Sequence, residues 1–374
     1  MRVREVLQSL DWVLFGTAVL LTWLGLAIHL SAASADISLL SSRFVRQVVS
    51  LSIALALYCV VSFVPYHTIR RYTPILYLLG LAALAVVLQF GSIIRGTASR
   101  LALAGVQIQP SEFMKVILVV ALAGIFAREQ HPTVRTYLLS ALLTGAVVAL
   151  VLLEPDLGMA ALITVLWAAT VIFLGIPWRT VVLLGLVVAA GFAAAWLWLF
   201  ADYQKERLQI FIDPTRDPLG AGYNFTQSII ALGSGQLFGR GLGQGPQSQL
   251  NFLPERHTDF MLASIGEELG FVGVLLVASL YAVLLWRMVR IACTTSDTFG
   301  QLLGVGAFLS ILLSFFVSAG MNIGLLPVTG IPLPLISYGG SNLVSTFLLL
   351  GIVQSVRVHS RWTQTPPIEL SHFT

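Results

Sequence analysis

The run WVLFGTAVLLTWLGLAIHL, residues 12–30, decides what kind of chain this is. Arg2 and Arg4 precede it and the small-residue stretch SAASA (31–35) follows, so its flanks imitate a secretory leader with a cleavage site. The apolar core of such a leader is only about 7–15 residues long, whereas a bilayer-crossing helix needs about 20. The run has the second length and reads as an uncleaved first span. Nine further apolar segments begin near Phe44, Pro74, Ser111, Thr136, Leu157, Trp178, Asp259, Gly300 and Tyr338. Composition agrees: 57% of residues are hydrophobic and 10% charged, against roughly 25% charged in soluble domains. The mean hydropathy is +0.89. Length alone would allow two or three soluble domains. The apolar spans instead predict one all-α polytopic membrane domain, residues 1–374, with ten transmembrane helices.

Ten spans put both termini on one side. With the N-terminus inside, the inner segments hold Arg2, Arg4, Arg70, Arg71, Arg128, Arg135, Arg179, Arg287, Arg290, Arg357 and Arg361. The short outer loops hold only Arg43, Arg46, Arg95 and Arg100. That asymmetry is the positive-inside pattern and predicts cytoplasmic termini. The one large loop, 201–258, then lies outside the cytoplasm between the seventh and eighth spans. Long loops in compact proteins are often functional. YQKERLQIFI (203–212) reads as a short amphipathic helix, and NFTQSIIALGSGQLFG (224–239) as a re-entrant or surface helix. Glycines from Gly233 to Gly245 would permit irregular backbone, tolerated at membrane depth only against protein or a wet cavity. Two cysteines, Cys59 and Cys293, make no disulfide framework. No internal repeat, nucleotide-binding motif, zinc spacing or basic tract for nucleic acid is visible.

Charges within spans are costly and point to function. In QPSEFMKV (109–116), Glu112 and Lys115 lie three apart on one helix face and can pair. Either they form a buried ion pair, or Glu112 orients Lys115 towards an anionic head group, with Arg100 adding a second positive charge. Gln109 or Ser111 stands at the helix cap. In EPDLG (154–158), Glu154 and Asp156 either cap the next helix or hold a divalent cation (Mg or Mn) beside a phosphate-rich substrate. In PERHTDFMLASIGEELG (254–270), Thr258 or Asp259 can cap the eighth span. Asp259, flanked by Glu255, Arg256 and His257 at the water–lipid boundary, can equally serve as a general base. Glu267 and Glu268, two turns deeper, read as buried support. LLPVTGIPLPLISYGGSN (325–342) reads as a rigid outer loop with Ser337 and its other polar groups facing the same cavity.

Taken together, QPSE with Lys115 downstream, EPDLG, DPLGAGYNFTQSIIALGSG (217–235), GLGQGPQSQLNFLPERHTDF (241–260), GEELG (266–270) and GIPLPLISYGGS (330–341) resemble one family. This is the SEDS family of shape, elongation, division and sporulation proteins, and the resemblance is nearer its RodA elongation branch than its FtsW branch. It implies a peptidoglycan glycosyltransferase that polymerises lipid II, releasing undecaprenyl pyrophosphate, on the outer face of the cytoplasmic membrane. It also implies a class B penicillin-binding protein and other elongation-complex proteins as partners. Asp259 falls on the family's catalytic aspartate, and Arg100, Glu112 and Lys115 on its charged positions around QPSE. Leu101 and Met159 depart from the residues common there. Two other readings use the same charges: a lipid II flippase, needing a polar track to the inner face, and a non-enzymatic activator of a penicillin-binding protein.

Overall fold

A computed structural model describes residues 9–31, 37–94, 97–103, 106–129, 132–175, 220–250 and 252–360, with isolated residues between 176 and 219. Nine long helices among them occupy nine of the ten expected spans. They are α1 (Trp12–Ser31), α2 (Ile37–Phe63), α3 (Tyr66–Phe90), α4 (Pro110–Phe126), α5 (Val134–Leu153), α6 (Leu157–Phe173), α9 (Met261–Thr294), α10 (Thr298–Asn322) and α11 (Gly340–Ser360). Between α6 and α9 come α7 (Ala221–Ser234) and the single turn α8 (Pro246–Gln249). The expected seventh span near Trp178 and the 203–212 helix are described only at scattered residues, which are helical, and the arginines at 2, 4, 43, 95, 179, 207, 216 and 361 lie outside the described residues, at least in their side chains. Seven of the described helices are long and apolar enough to cross a membrane. The 17-residue α4 and α6 complete the set of nine. This is a multi-pass membrane protein.

The expected all-helical membrane architecture holds for the spans, with one correction in a connection. Between α3 and α4, strands β1 (Ser92–Ile94), β2 (Thr97–Leu103) and β3 (Val106–Ile108) form an antiparallel sheet in the order β1-β2-β3. TASRLAL is too short and too alternating to continue a helix. A second correction concerns α3, which starts at Tyr66 and runs through Pro74. Proline removes only its own N–H from the ladder, and membrane helices absorb this where neighbours or side chains compensate.

Burial is uneven. In α11 83% of the most apolar window is buried, against 17% in α2, so the last span is the axis of the bundle. It packs along α2 and against α4 and α10. Helix α4 is buried on nearly every face. Exposed apolar residues such as Leu78, Leu142 and Phe316 sit on outward faces, as expected where the surroundings are lipid.

The eighth span is broken. At Gly270 the backbone leaves the helix (φ 69°, ψ −165°), which orphans polar groups on both sides. The 236–241 segment meets them: Arg240 and Gly241 N–H donate to the Glu267 and Glu268 carbonyls, both at 3.0 Å. Phe271 and Val272 N–H donate to the Gln236 and Leu237 carbonyls at 2.8 and 3.1 Å. The approach is close enough to require glycine. A Cβ on Gly239 (φ +80°) would lie 2.2 Å from the Glu268 oxygen, and one on Gly270 2.2 Å from the Gly239 nitrogen. Gly239→Ala is therefore expected to destabilise the solubilised protein by at least about 1–3 kcal/mol. Gly233→Ala, with open space around its Cβ, is the control that leaves the melting temperature unchanged. Equal melting temperatures for the two variants would contradict the packing described.

Candidate active site

Glu255 takes a left-handed backbone conformation (φ 57°). This curls the chain so that its carbonyl accepts from the N–H groups of Thr258, Asp259 and Phe260 at 3.0, 3.1 and 3.3 Å. The Thr258 hydroxyl returns to the Glu255 carboxylate at 3.0 Å. The expected cap is corrected here: Phe260, not Thr258 or Asp259, is the N-cap of α9 and gives no side-chain bond. The capping acceptor comes from another helix. Asn322 Oδ1, at the end of α10, accepts from Ala263 N–H at 2.9 Å. The Asn322 amide donates to the Asp259 carbonyl at 2.9 Å and to Ser318 O at 2.7 Å. The Asp259 carboxylate lies by the 325–339 loop, where a Cβ on Gly330 would be 3.9 Å from its Oδ2.

That loop clamps the turn. The Ser337 hydroxyl donates to Thr258 O at 2.6 Å and accepts from Leu333 N–H at 3.0 Å. Tyr338 N–H donates to His257 O at 2.8 Å. Ser337, expected in the cavity, is buried and committed to this clamp. Gln47 of α2 holds the same loop by weaker bonds to Ser337 O and Gly339 N, both 3.4 Å. Arg256 is buried too, its Nε facing His257 Nε2 at 3.3 Å.

The start of α11 carries the connection onward. Asn342 and Ser345 donate to the Glu112 carboxylate at 3.0 and 3.1 Å. Lys115 Nζ meets Glu112 Oε2 at 2.9 Å, both side chains almost fully buried. Of the two alternatives for this pair, the structure adopts the buried ion pair. A water-sized cavity of about 10 Å³, lined by Lys115, Ser310, Ser314, Ser345 and Thr346 among others, lies beside it. Gln109 occupies the N-cap of α4 without a side-chain cap bond. Its N–H instead donates to Ser341 Oγ at 2.9 Å and its side-chain amide to Asp156 Oδ2 at 3.2 Å. Arg100 is half-buried on β2, with Nη1 3.4 Å from Gln107 Oε1. Sequence reasoning missed Gln47, Asn322, Asn342 and Ser345; polar residues in otherwise apolar spans were the available signal.

The remaining carboxylates have distinct surroundings. Asp156 caps α6 through Met159 N–H at 3.0 Å. Glu267 accepts from the Gln247 and Ser248 N–H groups at 2.8 and 2.9 Å and from the Ser248 hydroxyl. Glu268 accepts from Ser31 Oγ at the end of α1. Glu154, in the turn between α5 and α6, is 0% exposed and neither carboxylate oxygen has a hydrogen-bond partner. Burial, reinforced by the charge of Asp156, pushes its pKa up to about 8. Among the described residues no three His, Cys, Asp or Glu converge on a metal site. Both Asp156 oxygens already accept hydrogen bonds, and Glu154 in the absence of a cation favours a proton.

The chain matches, over residues 11–362, the model of the FtsW/RodA/SpoVE cell cycle proteins. It belongs to that family. Peptidoglycan glycosyltransferase MrdB of Escherichia coli K12 is 37% identical over 332 residues, 88% of this chain and 89% of that protein. A probable peptidoglycan glycosyltransferase FtsW of Hydrogenovibrio crunogenus is 34% identical over 365 residues, covering 94% and 92%. The crystal structure of the Thermus thermophilus rod shape determining protein RodA matches with a TM-score of 0.69 at 32% identity, covering 93% of this chain and 96% of that one. A chain from a peptidoglycan synthase complex, described as coordinating polymerization and crosslinking, matches with a TM-score of 0.80 at 34% identity, covering 94% and 98%.

Glu154 gives the site a pH signature. The folded protein keeps a proton that the unfolded chain releases near its ordinary value of 4.5. Its contribution to stability is thus complete below that value and is lost as pH rises to about 8. Glu154→Gln, which mimics the protonated acid, should flatten this part of the melting-temperature profile and melt higher than wild type at pH 9. An unchanged profile would mean that Glu154 is ionised in the fold.

Proposed function

We propose that this chain is a peptidoglycan glycosyltransferase that polymerises lipid II, with Asp259 as its general base. Family membership and relatives named for this activity support the reaction class. The observation that carries the residue assignment is Asn322. By supplying the cap of α9 and holding the Asp259 carbonyl, it fixes the backbone of Asp259 where the carboxylate adjoins the 325–339 loop. A helix cap alone needs no such substitute.

In the reaction, Asp259 takes the proton of the acceptor sugar's 4-hydroxyl as that oxygen attacks the donor's anomeric carbon. Such positioned proton transfer is typically worth about 10²–10⁴-fold. The bond to the pyrophosphate oxygen breaks on the opposite face, and undecaprenyl pyrophosphate leaves. One inversion suffices, with no covalent intermediate. Arg100, half-buried on its strand, is the cation assigned to the departing pyrophosphate. Lys115, locked onto Glu112, instead holds α4 against the start of α11. A divalent cation, if used, would arrive with the pyrophosphate, and no step here needs it. The charge asymmetry of the loops supports cytoplasmic termini and a site on the outer side. The synthase complex described for a structural relative supports a cross-linking partner of the class B penicillin-binding type.

The test is lipid II polymerisation with a transpeptidase-dead partner, a moenomycin-type inhibitor silencing other polymerases. Asp259→Asn should lose glycan chains by at least about 10²-fold while still folding and binding the partner. Full activity would reduce Asp259 to a structural role. Translocation of lipid II without polymerisation by wild type would favour the flippase reading.

The cations separate in the same assay. Arg100→Ala should slow turnover at an unchanged melting temperature. Lys115→Met should lower the melting temperature, because breaking a buried pair leaves Glu112 uncompensated, at a cost of about 3–5 kcal/mol.

A further inference from the structure

His29 sits in the last turn of α1 and is buried. Its Nδ1 lies 3.4 Å from Nδ1 of His257, two residues before Asp259, with ring centroids 5.5 Å apart. The Tyr338 ring closes the other side edge-on at 6.2 Å. Protonation states follow from donor counting. Arg256 Nε–H can only donate, so His257 Nε2 is an acceptor. On that assignment a neutral His257 carries its proton on Nδ1, facing Nδ1 of His29, and the His29 proton falls on Nε2, a buried nitrogen with no hydrogen-bond partner.

The rest of the turn shows why this contact matters. The carbonyls of His257, Thr258 and Asp259 are held in succession by Tyr338 N–H, the Ser337 hydroxyl and the Asn322 amide. These bonds fix the backbone but leave the His257 ring to be oriented by its side-chain partners. The end of α1 has little freedom to shift. A Cβ on Gly25 would be 2.3 Å from the Ile336 oxygen, and Ser31 is tied to Glu268 and, through its carbonyl, to Gln249.

We propose that His29 is a positioning residue for glycosyl transfer: from the first span it fixes the tautomer and orientation of the His257 ring, which stands two residues before Asp259 in the same turn. This rests on Asp259 being the base. A displacement of about 1 Å at a reacting group can cost on the order of 10²-fold in rate, so a side chain that never touches substrate can control turnover.

The test compares His29→Leu, which keeps apolar bulk without an acceptor, with His29→Gln, whose side-chain oxygen can accept from His257 Nδ1–H. Both are assayed as the full chain with its transpeptidase-dead partner. His29→Leu should lower kcat by between about ten- and a hundred-fold, with KM for lipid II and melting temperature near wild type. His29→Gln should recover most of that loss. In ¹⁵N-histidine-labelled protein, wild-type His257 should show the neutral Nδ1–H form, and His29→Leu should change that signal. Wild-type kcat in His29→Leu, no rescue by His29→Gln, or an Nε2–H wild-type His257 would each overturn the proposal. The last outcome does so even if His29→Leu fails to assemble. Should Asp259→Asn keep its activity, the base assignment fails, while the His257 spectrum still reports separately whether His29 sets the tautomer.

Discussion

The end of the bundle that carries Asp259 depends on the exchange of backbone hydrogen bonds at Gly270. A helix broken within the membrane leaves carbonyls and N–H groups that lipid cannot satisfy, each costing several kcal/mol. Here the Glu267 and Glu268 carbonyls and the Phe271 and Val272 N–H groups all bond to the 236–241 segment. The exchange is reciprocal: the break exists because the loop fills it, and the loop is ordered because the break supplies partners. Its consequence is geometric. The nine residues before the break need not continue the line of the span, so the turn carrying Asp259 is set by the loops packed against it rather than by the long helix behind it.

A second constraint follows from placing charge in apolar surroundings. Glu112 and Lys115 sit on α4, and the groups that answer Glu112 sit on α11, the most buried span. Buried pairs of this kind add little net stability compared with apolar packing, yet are costly to break. That asymmetry suits a framework. The first turns of α11 are bonded to α4 through Glu112, and Ser341 receives the Gln109 N–H. The residues just before α11 hold the Asp259 turn through Ser337 and Tyr338. The ion pair and the Asp259 turn are therefore joined by one short stretch of chain.

Much of this was legible in the sequence. Hydropathy placed nine described helices, because twenty-residue apolar runs have no alternative in a bilayer. The motif residues named every carboxylate discussed here. The β-sheet around Arg100 was missed because a seven-residue strand between two long apolar runs gives a faint periodic signal. The start of α3 was misplaced because proline suggests a helix start, and Pro74 is instead carried inside the helix. The roles of Asn322, Gln47 and Ser345 were out of reach for a different reason. Each acts on a residue tens to hundreds of positions away, and local spacing holds no record of which polar side chain will meet which backbone group.

The carboxylates in and around the Asp259 turn show how one chemistry is divided among environments. Glu112 is ion-paired, Asp156 caps a helix, Glu267 receives two backbone N–H groups, and Glu268 anchors the end of α1. Glu154 has no hydrogen-bond partner and is driven towards its neutral form by burial. A carboxylate that already accepts several hydrogen bonds is a weaker acceptor for a substrate's proton, because those bonds favour its charged form. A neutral acid has no site left to accept one. Around Asp259 it is the backbone that is fixed: Glu255 O accepts its N–H, and Asn322 holds its carbonyl while capping the helix that follows. A base must be both positioned and able to change protonation state, and the held backbone of this turn supplies the positioning.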